Sequence, residues 1–209
     1  MYKKRLYEGS EEFLFHLSGT KALVTGGSRG LGLAGAESLA EAGCDVVLNH
    51  FNDSAKAAKE CDRLKAVTGR KVAHLDADVG QSKPARTMVQ KAADLLGGLD
   101  IVFSNAGICR FTSFMEVDDE NWHRHMDTNL NGGFYVTQTA AKIMIGAGKG
   151  GRILFTTSVS AFRSNATQTH YSATKGGLHI LALGMPIELG KHGITVNCIA
   201  PGWMHTDIN

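Results

Sequence analysis

From Lys21 onward, short runs of consecutive apolar residues alternate with longer stretches of helical periodicity, with no composition break to mark a linker. The apolar runs predict strands at residues 22–25, 46–48, 72–75, 101–103, 153–155 and 195–199. Helical patterns fall near residues 30–42, 54–68, 82–96, 119–146 and 171–190. Runs such as ALVT, VVL and IVF are apolar at successive positions rather than alternate ones. Both faces of their sheet are therefore expected to be covered, as in parallel sheets flanked by helices. The alternation predicts one α/β domain over residues 21–209, a doubly wound parallel sheet with helices on both faces, preceded by an N-terminal extension at 1–20.

Two of the helical stretches, 129–145 and 171–185, are apolar or small nearly all round. A surface helix normally keeps a polar stripe, so these two are expected to meet a second copy of the chain. At 209 residues the chain can bury a core without disulfides or metal staples. Its 22 basic and 20 acidic residues leave a net charge of only +2, which provides no field for a nucleic-acid backbone. No nucleic-acid partner is expected. Cys44, Cys61, Cys109 and Cys198 show no CxxC spacing and fit a reducing, cytoplasmic setting. The opening MYKKRLYEGSEEFLFHLSG is charged throughout and is not a secretory signal. No window is apolar enough for a membrane span, so no membrane partner is expected.

Directly after the first strand comes Thr25-Gly26-Gly27-Ser28-Arg29-Gly30-Leu31-Gly32, then a helix rich in Ala and Leu. Strand, glycine turn and helix together bring bare backbone amides to a helix N-terminus, where a pyrophosphate is favoured. The spacing is GxxxGxG rather than GxGxxG. Asn105-Ala106-Gly107 follows the fourth strand and places a second turn of small residues at the same sheet edge. Further on, Tyr171 and Lys175 are four residues apart in a helical pattern, so phenol and ammonium share one face. Ser158 closes the ILFTTS run at a strand's carboxyl end.

These motifs in this order, TGGSRGLG, NAG, Asn129, Ser158, YSATK and PGWMHT, resemble the short-chain dehydrogenase/reductase family over nearly the whole chain. The resemblance implies a Rossmann-type fold, NAD(P)-dependent hydride transfer between a nicotinamide cofactor and an alcohol or carbonyl substrate, and a homotetramer. It assigns a catalytic tetrad. Tyr171 would be the acid/base, with Lys175 lowering its pKa and holding the nicotinamide ribose, Ser158 binding the substrate oxygen, and Asn129 supporting a water that carries protons to bulk. It also implies cofactor contacts from Gly26, Ser28, Arg29, Gly30, Leu31 and Gly32, from Asp78 and Val79, from Asn105, Ala106 and Gly107, and from Pro201, Gly202 and Thr206.

At the end of the second strand stand Asn49 and His50, with no acid to bond a ribose 2′-hydroxyl, while Arg29 in the glycine loop can pair with a 2′-phosphate. NADP(H) is favoured and NAD(H) remains possible. The segments around Cys109 and His170 resemble the aldose 1-dehydrogenase branch, of L-rhamnose or glucose type. Gln168, His170 and Arg163 are candidate polyol partners, and Phe111 and Trp203 candidate covers of a sugar face. Cys109 reads as pocket wall, and His123, His125 and Asp127 are not expected to hold a metal. A 3-oxoacyl thioester reductase is the alternative enzyme, and a non-catalytic NADP(H) sensor the alternative of another class. The resemblance implies a further helix and a last strand past the position of Asn209, so the sequence reads as the ordered part of a longer chain, the alternative being a truncated protein with an exposed sheet edge.

Overall fold

The apolar runs form strands because each buries side chains in both directions. In the computed structural model, which describes residues 16–204, the strands are β1 (Lys21–Val24), β2 (Asp45–His50), β3 (Val72–Asp76), β4 (Ile101–Ser104), β5 (Gly151–Thr156) and β6 (Ile194–Ile199). All pair in parallel, in the order β3-β2-β1-β4-β5-β6. The helices are α1 (Gly30–Glu41), α2 (Ser54–Thr68), α3 (Ser82–Leu96), α4 (Asp119–His125), α5 (Gly132–Ala147) and α6 (Thr169–Leu189).

Successive strand residues point to opposite faces, and the two cores follow that alternation. Ala22, Val24, Val46, Leu48 and Phe103 pack with Ala36 and Ala40 of α1 and with Cys61 and Leu64 of α2. Leu23, Val47, Val102, Ile153 and Phe155 pack on the other side, with Met88 of α3, Val136 and Met144 of α5 and Leu178 of α6. Burying each large side chain contributes about 1.5–3 kcal/mol. The expectation that both faces are covered holds for the inner strands. It does not hold for β6, where Thr195, Asn197 and Ile199 are exposed on one face.

The single helical pattern expected over 119–146 is interrupted. Asp118 caps α4 by accepting from the Asn121 N–H at 2.7 Å, and Met126–Asn131 then forms a π-helical segment that leads into α5. There the Gly132 N–H reaches back five residues to the Asp127 carbonyl. Hydrophobic period does not reveal such an extra residue, because the faces before and after it both remain apolar. Among the described residues no helix is long and apolar enough to cross a membrane.

Candidate active site

The strand order reverses between β1 and β4, and open α/β sheets bind ligands at the carboxyl ends flanking such a point. Side chains lock these ends together. Thr25 Oγ1 accepts the backbone N–H groups of Asn105 and Ala106 at 2.9 and 3.0 Å. The Asn105 amide donates to the Thr25 carbonyl at 3.1 Å and accepts from Thr156 Oγ1 at 3.0 Å, so one side chain joins β1, β4 and β5. A Cβ on Gly32 would stand 2.2 Å from the Gly26 carbonyl oxygen and 2.6 Å from Asn105 Nδ2. Glycine at 32 is therefore a packing requirement, since it lets α1 dock on both turns. No side chain caps α1 and no acid lies in its first turn, which leaves its N-terminus free for an anion.

An open cavity of about 470 Å³ runs along this edge, within the range of cofactor and ligand sites. It is lined by Gly26, Ser28, Arg29, Gly30, Leu31, Asn49, His50, Asp78, Val79, Asn105, Ala106, Gly107, Pro201 and Gly202, and at its other end by Ser158, Tyr171 and Lys175. A Cβ on Gly107 would lie 3.2 Å from Asn129 Oδ1 and 3.4 Å from Lys175 Nζ, so it would take up room beside these groups. The uncapped helix end, the small-residue turns and the buried, unpartnered Thr128 Oγ1 on the lining all fit a dinucleotide. Gly32 is not on the lining, and Thr206 lies outside the described residues.

Several expected cofactor residues also serve the fold. Asn49 is buried and donates to the His50 and Ala77 carbonyls, both at 3.0 Å, tying β2 to the turn after β3. His50 is buried with its Nε2 3.0 Å from His74 Nδ1. Asp78 accepts the Gly80 N–H at 2.9 Å and pairs with Arg124 at 2.7 Å. Arg124 and Phe51, which also line the cavity and contact each other, carried no sequence signal.

At the catalytic end, α6 presents Tyr171 and Lys175 on one face, with Lys175 Nζ 5.7 Å from the phenol ring centre. Lys175 is buried and donates to the Thr156 carbonyl at 2.8 Å. Burial lowers its pKa to about 8, against a small opposing effect of Cys109. Burial also pushes the Tyr171 phenol above its ordinary value, with the Ser158 hydroxyl acting in the lowering direction and Cys109 in the raising one. Tyr171 is thus raised rather than lowered within the chain itself, and the influence that opposes desolvation is the Ser158 hydroxyl rather than the expected Lys175. Asn129 is buried in the π-helical segment. Its Oδ1 accepts the Ile108 N–H at 2.8 Å, and its Nδ2 donates to the Ile108 carbonyl at 2.9 Å and to Thr174 Oγ1 at 3.1 Å. Its side chain therefore holds the turn after β4 to α6.

Of the expected substrate residues, Ser158 and Tyr171 meet on the lining, whereas Gln168, His170, Arg163, Phe111 and Trp203 lie off it. Gln168 is buried and donates to Cys109 Sγ at 3.7 Å, off the lining. His170 is buried with Nε2 donating to the Arg110 carbonyl at 2.9 Å, while His125 Nε2 accepts the Arg110 N–H at 3.1 Å. The two rings meet edge to face at 4.3 Å and grip one residue of the loop after β4. Burial lowers the pKa of His125, in keeping with a neutral, accepting ring. Arg163 is exposed, and Trp203, 73% exposed, stacks on Phe111 with ring centres 6.2 Å apart. Cys109 does line the cavity. Two further residues were missed by sequence reasoning. Thr174 links Asn129 to the Tyr171 carbonyl. Asp53 reaches the glycine loop from beyond β2.

A doubly wound sheet with a cavity that runs from a glycine loop at a helix N-terminus to a Tyr–Lys pair defines a nucleotide-dependent oxidoreductase. The profile of the short chain dehydrogenase family matches residues 20–209, and the chain belongs to that family. An L-rhamnose 1-dehydrogenase (NAD(P)(+)) of Sphingomonas sp. (strain SKA58) is 38% identical, with 92% of this chain aligned to 76% of that protein. A gluconate 5-dehydrogenase of Gluconobacter oxydans (strain 621H) is 39% identical over 93% of this chain and 75% of its own. Among solved structures, a short chain dehydrogenase from Burkholderia cenocepacia J2315 in complex with NADP superimposes with a TM-score of 0.89 at 36% identity, covering 93% of this chain and 78% of that one. The protein is an NAD(P)-dependent oxidoreductase that transfers hydride between a nicotinamide cofactor and a hydroxyl or carbonyl carbon.

Proposed function

We propose that the protein oxidises the C1 hydroxyl of an aldose, with NADP(H) preferred over NAD(H) and Tyr171 as the acid/base. The observation that carries this reading is the meeting of Ser158, Tyr171 and Lys175 at the far end of a cavity whose other end is the glycine loop. When bound, the nicotinamide supplies the hydride acceptor. The chain's residues do the rest. Ser158 orients the sugar hydroxyl, Tyr171 takes its proton as the C1 hydride departs, and Lys175 places a positive charge beside the phenol. With Tyr171 raised by burial, the deprotonation needs both Lys175 and a nicotinium charge near the ring. Asn129 acts by positioning, through Ile108 and Thr174. The sugar assignment is supported by the names of the relatives, and the preference for NADP(H) by Arg29 on the lining with no carboxylate at Asn49 or His50.

A homotetramer through α5 and α6 and a cytoplasmic location complete the proposal. The apolar outer face of α6 supports the first and four free cysteines support the second. The test is a screen of nicotinamide absorbance over aldoses, sugar acids, 3-oxoacyl thioesters and simple ketones, repeated with Tyr171→Phe. Oxidation of an aldose that falls by about 100-fold to 10,000-fold in the variant, with cofactor affinity retained, is the expected outcome. Preferential turnover of 3-oxoacyl thioesters would replace the aldose by the alternative substrate. Cofactor binding without turnover of any compound would favour a sensor.

A further inference from the structure

Asp53 stands three residues past β2, at the position before α2 where an aspartate ordinarily accepts from the first amides of its own helix. Its carboxylate makes no such cap. Oδ2 instead accepts from Ser28 Oγ at 2.8 Å and pairs with Arg29 Nη2 at 3.2 Å. Both partners line the cofactor cavity, whereas Asp53 does not. The other arginine on the lining, Arg124, is held by Asp78, and Lys175 lies at the catalytic end. Each arginine of the lining therefore already has a carboxylate partner.

We infer that Asp53 is a specificity-determining positioning residue that acts through Arg29 and limits the preference for a 2′-phosphate. The inference rests on the reading that Arg29 meets that phosphate. A phosphate of charge near −2 would have to share the guanidinium with a fixed carboxylate and lie close to its charge. A 2′-hydroxyl brings no charge and suffers neither effect. The cavity is thereby kept open to both cofactors, by a residue outside the strand end where such discrimination is read from sequence.

The experiment measures dissociation constants of NADPH and NADH by nicotinamide fluorescence for the unmodified chain and for Asp53→Asn, Asp53→Ala and Asp53→Glu. Asn keeps an acceptor for Ser28 and removes the charge, Ala removes both, and Glu keeps the charge. Because Arg29 and Asp53 are 51% and 20% exposed, the pair is screened and the effect is modest. NADPH should bind about two- to five-fold tighter to the Asn and Ala variants, with NADH changed by less than about two-fold and the gain shrinking at high salt. Glu should leave the NADPH-to-NADH ratio near that of the unmodified chain. A merely structural role would shift both cofactors alike, and an equal shift or an unchanged ratio in Asn and Ala overturns the inference while leaving the preference for NADP(H) standing. If the unmodified chain binds NADH but not NADPH, the preference itself fails and the inference with it.

Discussion

Lys175 is a charged group held where charge is least welcome. Its folded-state pKa is lowered from 10.5 to about 8 by burial. The folded chain thus favours the neutral amine relative to the unfolded chain. The stability linked to this residue is full above pH 10.5 and is lost as pH falls through the window from 10.5 to about 8. At pH 7 the ammonium is buried at a cost on the order of 3 kcal/mol, although it keeps a bond to the Thr156 carbonyl. Lys175→Met should consequently raise the urea midpoint at pH 7 while weakening cofactor binding and turnover. A lower midpoint in the variant would show that the lysine holds the fold together. The pairing of Tyr171 with Lys175 was legible because helical period alone puts them on one face. Asp53, Thr174 and the grip of His125 and His170 on Arg110 were not, because each is a contact across many residues that no local period encodes.

Among the elements, α6 is divided between two surroundings. Its Leu178 and Ala182 enter the core, while Ile180, Leu183 and Ile187 are 66%, 57% and 85% exposed and share a face with exposed Ala173 and Gly184. Apolar side chains concentrated in this way mark a contact surface. Ala141 of α5 is instead buried in the chain's own core, so a charge there would test packing rather than assembly. Replacing Ile180 and Ile187 by Asp should turn a sedimenting tetramer into monomers and leave the core intact. An unmodified chain that sediments as a monomer, or a double variant that stays assembled, would end the idea of an α6 interface. The all-round apolar character of this helix was visible in the sequence. Which of its faces is left over was not, because that depends on what the sheet and α5 already cover.

For the whole molecule, the alternation of strand and helix and the two small-residue turns were sufficient to read a parallel sheet with a cavity at its carboxyl edge. Period did not give the pairing of β1 with β4, but the turns after both strands pointed to one crevice. The π-helical segment Met126–Asn131 was invisible and has a consequence for the way the chain tolerates change. A π turn is an α-helix carrying one surplus residue, so α4 and α5 already have the angular phase of an uninterrupted helix one residue shorter. Removing one residue between 126 and 128 should let the segment relax to ordinary helix while α4 keeps its cap at Asp118 and α5 keeps Val136, Ala140 and Met144 against the sheet. Asn129, inside the segment, would be swung out of aim, away from Ile108 and Thr174. Circular dichroism and thermal unfolding should show a folded chain whose turnover has collapsed, so that site and scaffold are separable at a single peptide unit.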